Sequence, residues 1–144
     1  MRNQKLNQTH RLATSHRVAF IVLLAIGGSF TFSTAKAETA SYYTYESCVR
    51  EGTSGVWTAS GERYNENDLT CAMRSREWGK YYKVTNLDNG NTVIVRHNDF
   101  GPNKKLHDKG RIIDLSKEAF KILTNNDLRK GIINVKVEEV SDAQ

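Results

Sequence analysis

Apolar and polar positions alternate most clearly near the end of the chain, where Ile133, Val135 and Val137 interleave with Asn134, Lys136 and Glu138. A two-residue period predicts a half-buried strand over Ile132 to Val140. Tyr81 to Leu87 and Thr92 to Asn98 are two further β-prone runs, separated by Asp88-Asn89-Gly90. Asn-Gly between such runs predicts a hairpin. Shorter strands are predicted at Tyr42 to Tyr45, Leu69 to Met73 and Arg111 to Leu115, with a Gly/Ser/Thr-rich loop over Glu51 to Gly61. One segment has helical spacing. Ser116 can cap it, Lys117 to Leu123 forms it, and Phe120 and Leu123 share a face. Six short strands with one or two short helices predict a mainly β fold, a small closed or nearly closed barrel.

The first 37 residues have a different pattern. Arg2, Lys5, Arg11 and Arg17 precede an apolar run, Val18 to Phe32, and Ala35-Lys36-Ala37 ends the segment. This order of basic, apolar and small residues predicts a secretory leader cleaved before Glu38. At 15 residues the run is shorter than the roughly 20 of a spanning helix, so no stable membrane insertion is expected after cleavage. No cysteine comes directly after the run to take a lipid, and the expected location is periplasmic or secreted. The leader also accounts for the charge. The chain carries 21 Lys+Arg against 16 Asp+Glu, but five of the bases and none of the acids fall within residues 1–37. Sixteen of each sign remain in residues 38–144, so the basic balance gives no support to a nucleic-acid partner.

The expected mature region is one domain with a modest core. It holds both cysteines, Cys48 and Cys71, and in an oxidising compartment these are expected to pair as a disulfide. It holds two histidines, His97 and His107, in no spacing that suits zinc, and neither a metal nor any other cofactor is expected.

Three segments are more specific than packing requires: Thr58-Ala59-Ser60-Gly61-Glu62, Val95-Arg96-His97-Asn98-Asp99-Phe100-Gly101-Pro102 and Gly110-Arg111-Ile112-Ile113-Asp114-Leu115-Ser116. Each puts a carboxylate in a turn or at the end of a strand, where sites on β scaffolds usually lie. With Ala40-Ser41-Tyr42-Tyr43, Leu69-Thr70-Cys71-Ala72 and Val84-Thr85-Asn86-Leu87-Asp88-Asn89-Gly90, in this order and spacing, the sequence resembles the RlpA-like (rare lipoprotein A) family, related in fold to the expansins.

The resemblance runs from about Ala40 to Val140. It implies a six-stranded double-psi β-barrel with an open cleft. It also implies an endolytic peptidoglycan transglycosylase that prefers glycan strands lacking stem peptides. By position, Asp99 matches the family's essential aspartate, Glu62 its glutamate, and Asp114 an aspartate shared with expansins. Met73 stands where the family's Ala-Ala-His run carries a histidine. Glu62 and Asp99 are therefore the candidate catalytic residues, with Tyr43, His97, Arg111 and Asp114 as candidate substrate contacts. Peptidoglycan glycan strands are the expected partner, with division-site proteins as further candidates.

Plainer readings stand beside these. Asp99 can bond turn amides before Gly101-Pro102, Asp114 can serve the helix start near Ser116, and Glu62 can be a solvated loop residue. On a regular strand Val93, Val95, His97 and Asp99 share one face, which would bring His97 beside Asp99. The basic stretch Asn103 to Lys109 reads as a loop able to meet cell-wall carboxylates. At the level of function, the alternatives to a transglycosylase are a non-catalytic, expansin-like wall-glycan binder and a secreted interaction or inhibitor domain on the same barrel.

Overall fold

The computed structural model describes residues 36–52 and 56–141. The expected leader therefore lies, apart from Lys36 and Ala37, outside the described residues. Six strands form the barrel: β1 (Thr39–Tyr42), β2 (Thr70–Met73), β3 (Tyr81–Asn86), β4 (Thr92–Phe100), β5 (Arg111–Leu115) and β6 (Ile132–Val140). Their order around it is β1-β5-β2-β4-β3-β6, and β6 closes back on β1. Pairs β1·β5 and β2·β4 are parallel and the rest antiparallel, the arrangement of a double-psi β-barrel. Three short helices decorate it: α1 (Tyr45–Arg50), α2 (Lys104–Asp108) and α3 (Lys117–Thr124).

The two-residue period sorts the interior. Val93 and Val95 of β4, Ile133 and Val135 of β6, and Ile113 and Leu115 of β5 are buried in one core. Helix α3 closes one end of that core with Ala119, Phe120 and Leu123, all fully buried. Ser116 starts this helix: its hydroxyl accepts from the Ala119 amide at 3.4 Å and donates to the Asp68 carbonyl at 2.5 Å. The helix ends on Asn125 in the left-handed region, φ 53°. Its Leu123 carbonyl, one of the four a helix leaves unpaired, accepts from Asn86 at 2.8 Å and Asn89 at 2.9 Å. The β3–β4 turn is thereby bolted to the helix.

The predicted positions of β3 to β6 and α3 agree with the structure to within about two residues. The strand expected over Tyr42 to Tyr45 instead runs over Thr39–Tyr42, and Tyr45 opens α1, because Thr44 and Ser47 form a reciprocal capping box. The stretch read as a basic loop contains α2, capped by the Asn103 side chain on the Leu106 amide at 3.0 Å.

The expected disulfide is absent. Cys48 and Cys71 are both thiols in the structure. Cys71 sits in β2 opposite Leu115 and faces the core with no exposed surface, whereas Cys48 lies on α1. Burial pushes the Cys71 thiol well above its ordinary range, so it packs as a small apolar side chain.

Both parallel pairs slip by one residue. Register runs Thr39↔Arg111 then Ala40↔Ile113 in β1·β5, and Cys71↔His97 then Ala72↔Asp99 in β2·β4. The extra residue in β4 is Asn98. A bulge interrupts the alternation and re-aims the side chains beyond it. Gly110, just before β5, has φ 103°, a backbone conformation that side-chain-bearing residues rarely adopt, so the approach to the barrel needs glycine.

Candidate functional site

Strand register builds the site. On β5, Ile113 and Leu115 point into the core, so Asp114 points to the opposite face. Ala72 on the neighbouring β2 pairs with Asp114 on one side and with Asp99 of β4 on the other, and Ser41 of β1 pairs with Asp114. Ser41, Asp114, Ala72 and Asp99 thus form a row across four adjacent strands, and all four line one groove of about 1090 Å³. The two aspartates are two strand spacings apart, roughly 10 Å at the backbone. Ala72 keeps the space between them low. Gly101 folds over the row, with a position for a Cβ 3.5 Å from both the Ala72 Cβ and Asp114 Oδ2.

Asp99 is held by one oxygen. Its Oδ1 accepts from the Ala59 amide at 2.9 Å and the Phe100 amide at 2.8 Å. Among the described residues Oδ2 accepts no hydrogen bond, which leaves it available to a ligand. The turn-amide reading of Asp99 and its groove position therefore both hold, on different oxygens.

Asp114 is only 8 % exposed, and burial raises its pKa. The Arg111 guanidinium, donating Nε to Oδ1 at 2.5 Å, opposes that rise, and the charge of Asp99 adds to it. Arg111 and Asp114 line the groove as a pair. The Ser116 hydroxyl, not Asp114, caps α3.

Tyr43 continues from β1 into the same groove, its ring stacked on Tyr64 with centroids 4.7 Å apart. The Tyr64 hydroxyl donates to the Tyr43 carbonyl at 2.7 Å. The Tyr43 hydroxyl is itself buried and has no partner among the described residues. Burial, then the charge of Asp99, raises its pKa well above the usual phenol range, so it stays a hydrogen-bond donor. Trp57 and Phe100 are exposed aromatic side chains in the groove lining.

Two expected site residues lie elsewhere. Glu62 does not line the groove. It accepts both guanidinium nitrogens of Arg96, at 2.6 and 2.7 Å, and the Asn98 amide nitrogen at 3.0 Å. Those bonds hold its carboxyl ionised, with a pKa lowered to about 2. Glu62 ends the Thr58–Glu62 turn, which Thr58 closes through its amide to the Glu62 carbonyl at 2.8 Å and which Ser60 ties to the Asn98 carbonyl at 3.2 Å. The clamp fixes the loop that delivers the Ala59 amide to Asp99.

His97 is the other. It is fully buried behind the bulge, its ring 4.9 Å from that of Trp78, with Nδ1 3.2 Å from the Glu77 carbonyl and Nε2 3.0 Å from the Asp99 carbonyl. Because Asn98 is the inserted residue, the expected shared face of His97 and Asp99 ends at position 97. The imidazole supports the Asp99 backbone from behind and makes no contact with the groove. Met73 packs against the core and does not line the groove either, while its neighbours Ala72 and Arg74 do. Arg74, in the bend just after β2, was not among the expected site residues, and no periodicity in the sequence marks it.

The closed six-stranded barrel, with Asp99 and Asp114 in one groove, defines the class of double-psi β-barrel proteins. Within that class, the chain belongs to the family described as "Lytic transglycolase", which matches residues 35–137. It is 44 % identical over 89 residues to the "Probable endolytic peptidoglycan transglycosylase RlpA" of Synechocystis, covering 62 % of this chain and 26 % of that protein. It is 38 % identical over 106 residues to the "Endolytic peptidoglycan transglycosylase RlpA" of Rickettsia felis, covering 74 % and 44 %. The chain thus spans less than half the length of these curated relatives.

Among solved structures, the barrel is similar to the Streptomyces papain inhibitor (TM-score 0.54, 23 % identity, 73 % of this chain and 93 % of that one). It is also similar to apo-Clavibacter michiganensis expansin (TM-score 0.53, 24 % identity, 76 % and 52 %). These two likenesses concern the fold.

Proposed function

We propose that this domain cuts peptidoglycan glycan strands as an endolytic transglycosylase, with Asp99 as the acid and base. The observation that carries the reading is the state of the Asp99 carboxyl, pinned through Oδ1 by two amides and, among the described residues, unbonded at Oδ2 within a groove that also holds Asp114. In its acid form Asp99 donates a proton to the glycosidic oxygen as the bond from the muramyl C1 to that oxygen breaks. The 6-hydroxyl of the same muramyl residue attacks C1 and returns its proton to the Asp99 carboxylate. The products are a 1,6-anhydro-muramyl end and a strand with a new free hydroxyl, and no water is consumed. The nucleophile is tethered to the substrate, so one carboxyl can serve both steps.

Asp114 supports this role as a second carboxyl in the same groove, one strand beyond Ala72 from Asp99. Tyr43 lines the same groove and is a proposed substrate contact. Glu62 acts through the loop and Arg111 through Asp114. Strands lacking stem peptides are the proposed substrate, and the proposed setting is the periplasm or the exterior, after loss of the leader.

Met73 favours a second reading, a non-catalytic wall-glycan binder, since this chain lacks the histidine of the family's run. Incubating the protein with denuded glycan strands and analysing products by mass spectrometry separates the two. Anhydro-muramyl ends that disappear in a folded Asp99→Asn variant are expected. Co-sedimentation with sacculi without new chain ends would leave only the binder, and full activity in Asp99→Asn would remove Asp99 from the chemistry.

A further inference from the structure

Five basic side chains line the groove, and three are already matched to carboxylates: Lys104 to Asp108 at 2.7 Å, Arg111 to Asp114, and Lys117 to Glu66 at 3.2 Å. The other two, Arg50 and Arg74, meet no carboxylate among the described residues. Arg50 is exposed at the end of α1 and nothing fixes its head. Arg74 is different. It is half-buried, donates Nη1 to the Pro102 carbonyl at 3.1 Å, and holds its guanidinium carbon 5.2 Å from the centre of the Phe100 ring.

Arg76 brings a second guanidinium to 4.8 Å from the same ring, also without a carboxylate partner among the described residues. The two positive heads are therefore no more than about 10 Å apart. Neither head has an ion-pair partner among the described residues: both lie against the Phe100 ring, and Arg74 has in addition the Pro102 carbonyl. One bond to Pro102 uses a fraction of the five N–H donors on Arg74. Phe100 is the residue after Asp99; Arg74 lines the groove beside it, and Arg76, an exposed residue, reaches the same ring from outside the groove lining.

We infer that Arg74 and Arg76, seated on Phe100, form a subsite for a carboxylate carried by the glycan. The inference rests on the glycan-cleaving reading and adds what the substrate must carry. A planar guanidinium fork matches a carboxylate with two parallel bonds. A singly charged carboxylate suits this groove better than a phosphate, because Asp99 and Asp114 already place negative charge beside it. Two sources offer that chemistry: the lactyl ether of a muramyl residue, which bears a free carboxylate only where no stem peptide is attached, and the stem peptide itself.

The test uses the full-length protein and four soluble ligands of matched length: denuded glycan, the same glycan with its carboxylates amidated, glycan bearing stem peptides, and a neutral chitin oligosaccharide. Binding is read by calorimetry at two salt concentrations. Wild type should bind denuded glycan about tenfold more tightly than its amidated form, the scale of one charge-assisted hydrogen-bonded pair, and this difference should shrink at high salt. Arg74→Gln and Arg76→Gln should each erase most of the difference and leave binding to the neutral oligosaccharide unchanged.

A preference for peptide-bearing over denuded glycan, lost in the same variants, also supports the carboxylate subsite and assigns it to the peptide. Equal wild-type affinity for denuded, amidated and peptide-bearing glycan overturns the inference without any variant, and so does a preference that survives both substitutions. Failure of wild type to bind any of the four glycans is instead the failure of the glycan-cleaving reading, and the inference falls with it.

Discussion

The clamp between Glu62 and Arg96 makes a sharp prediction because its pH dependence, its partner and its catalytic consequence are all specified. In the fold Glu62 drops from 4.5 to about 2, chiefly through its hydrogen bonds to Arg96 and Asn98. That drop corresponds to about 3 kcal/mol before screening. The Glu62 and Arg96 side chains are 43 % and 31 % exposed, so water weakens the pair and about 1–2 kcal/mol is the working figure. Glu62→Gln should therefore lower the thermal midpoint by roughly 5–10 °C near pH 7.

The sign with pH is fixed. A carboxyl whose pKa is lowered in the fold stabilises it above its unfolded value and loses that contribution as pH falls through the folded one. The gap between wild type and Glu62→Gln should be full above about pH 4.5 and close progressively toward pH 2. Arg96→Met should cause a similar loss, and the double variant should cost much less than the sum. Turnover on denuded glycan should fall in Glu62→Gln, because the Ala59 amide loses its support, but the pH–rate profile should keep its shape. Thermal denaturation by circular dichroism across pH, the double-mutant cycle and the rate profile check this. A pH-independent gap, strict additivity, or a lost limb in the rate profile would each show that Glu62 does not work through the clamp.

Asp114 should behave in the opposite sense. Its pKa is raised in the fold, mainly by burial, so its favourable contribution is present at low pH and is lost as pH rises through the raised value. Asp114→Asn should gain stability relative to wild type between pH 3 and pH 7, measured by thermal denaturation. Mass spectrometry of the non-reduced folded protein should show two thiols, and native alkylation should label Cys48 well before Cys71, which has no exposed surface. Phe120→Ala should cost about 3–5 kcal/mol by emptying a fully buried site between α3 and the barrel, read by urea denaturation. Sequencing the exported protein should return Glu38 as its first residue. That would retain the Glu38 carbonyl bonded to the Val135 amide at 3.0 Å and the Thr39 amide bonded to Gly110 at 2.8 Å.

Local pattern by itself determined much of this protein. Val93, Val95, Ile133 and Val135 declare their strands because a two-residue period is a property of neighbours in the chain, and Phe120 with Leu123 declares α3 for the same reason. Ordered motifs pointed to the barrel, and the Asp-Asn-Gly segment to its hairpin. Beyond the reach of that pattern was anything set by pairing between distant segments. The slip in β2·β4 inserts Asn98, ends the face shared with His97 and re-aims Asp99.

Glu62 meets Arg96 and Asn98 across more than thirty residues, and that contact, invisible in the sequence, holds its carboxylate outside the groove lining. Cys48 and Cys71 fail to pair because one stands on a helix and the other faces the core, a matter of direction and not of spacing. A site assembled from four strands depends on register, and register is decided only when the barrel closes.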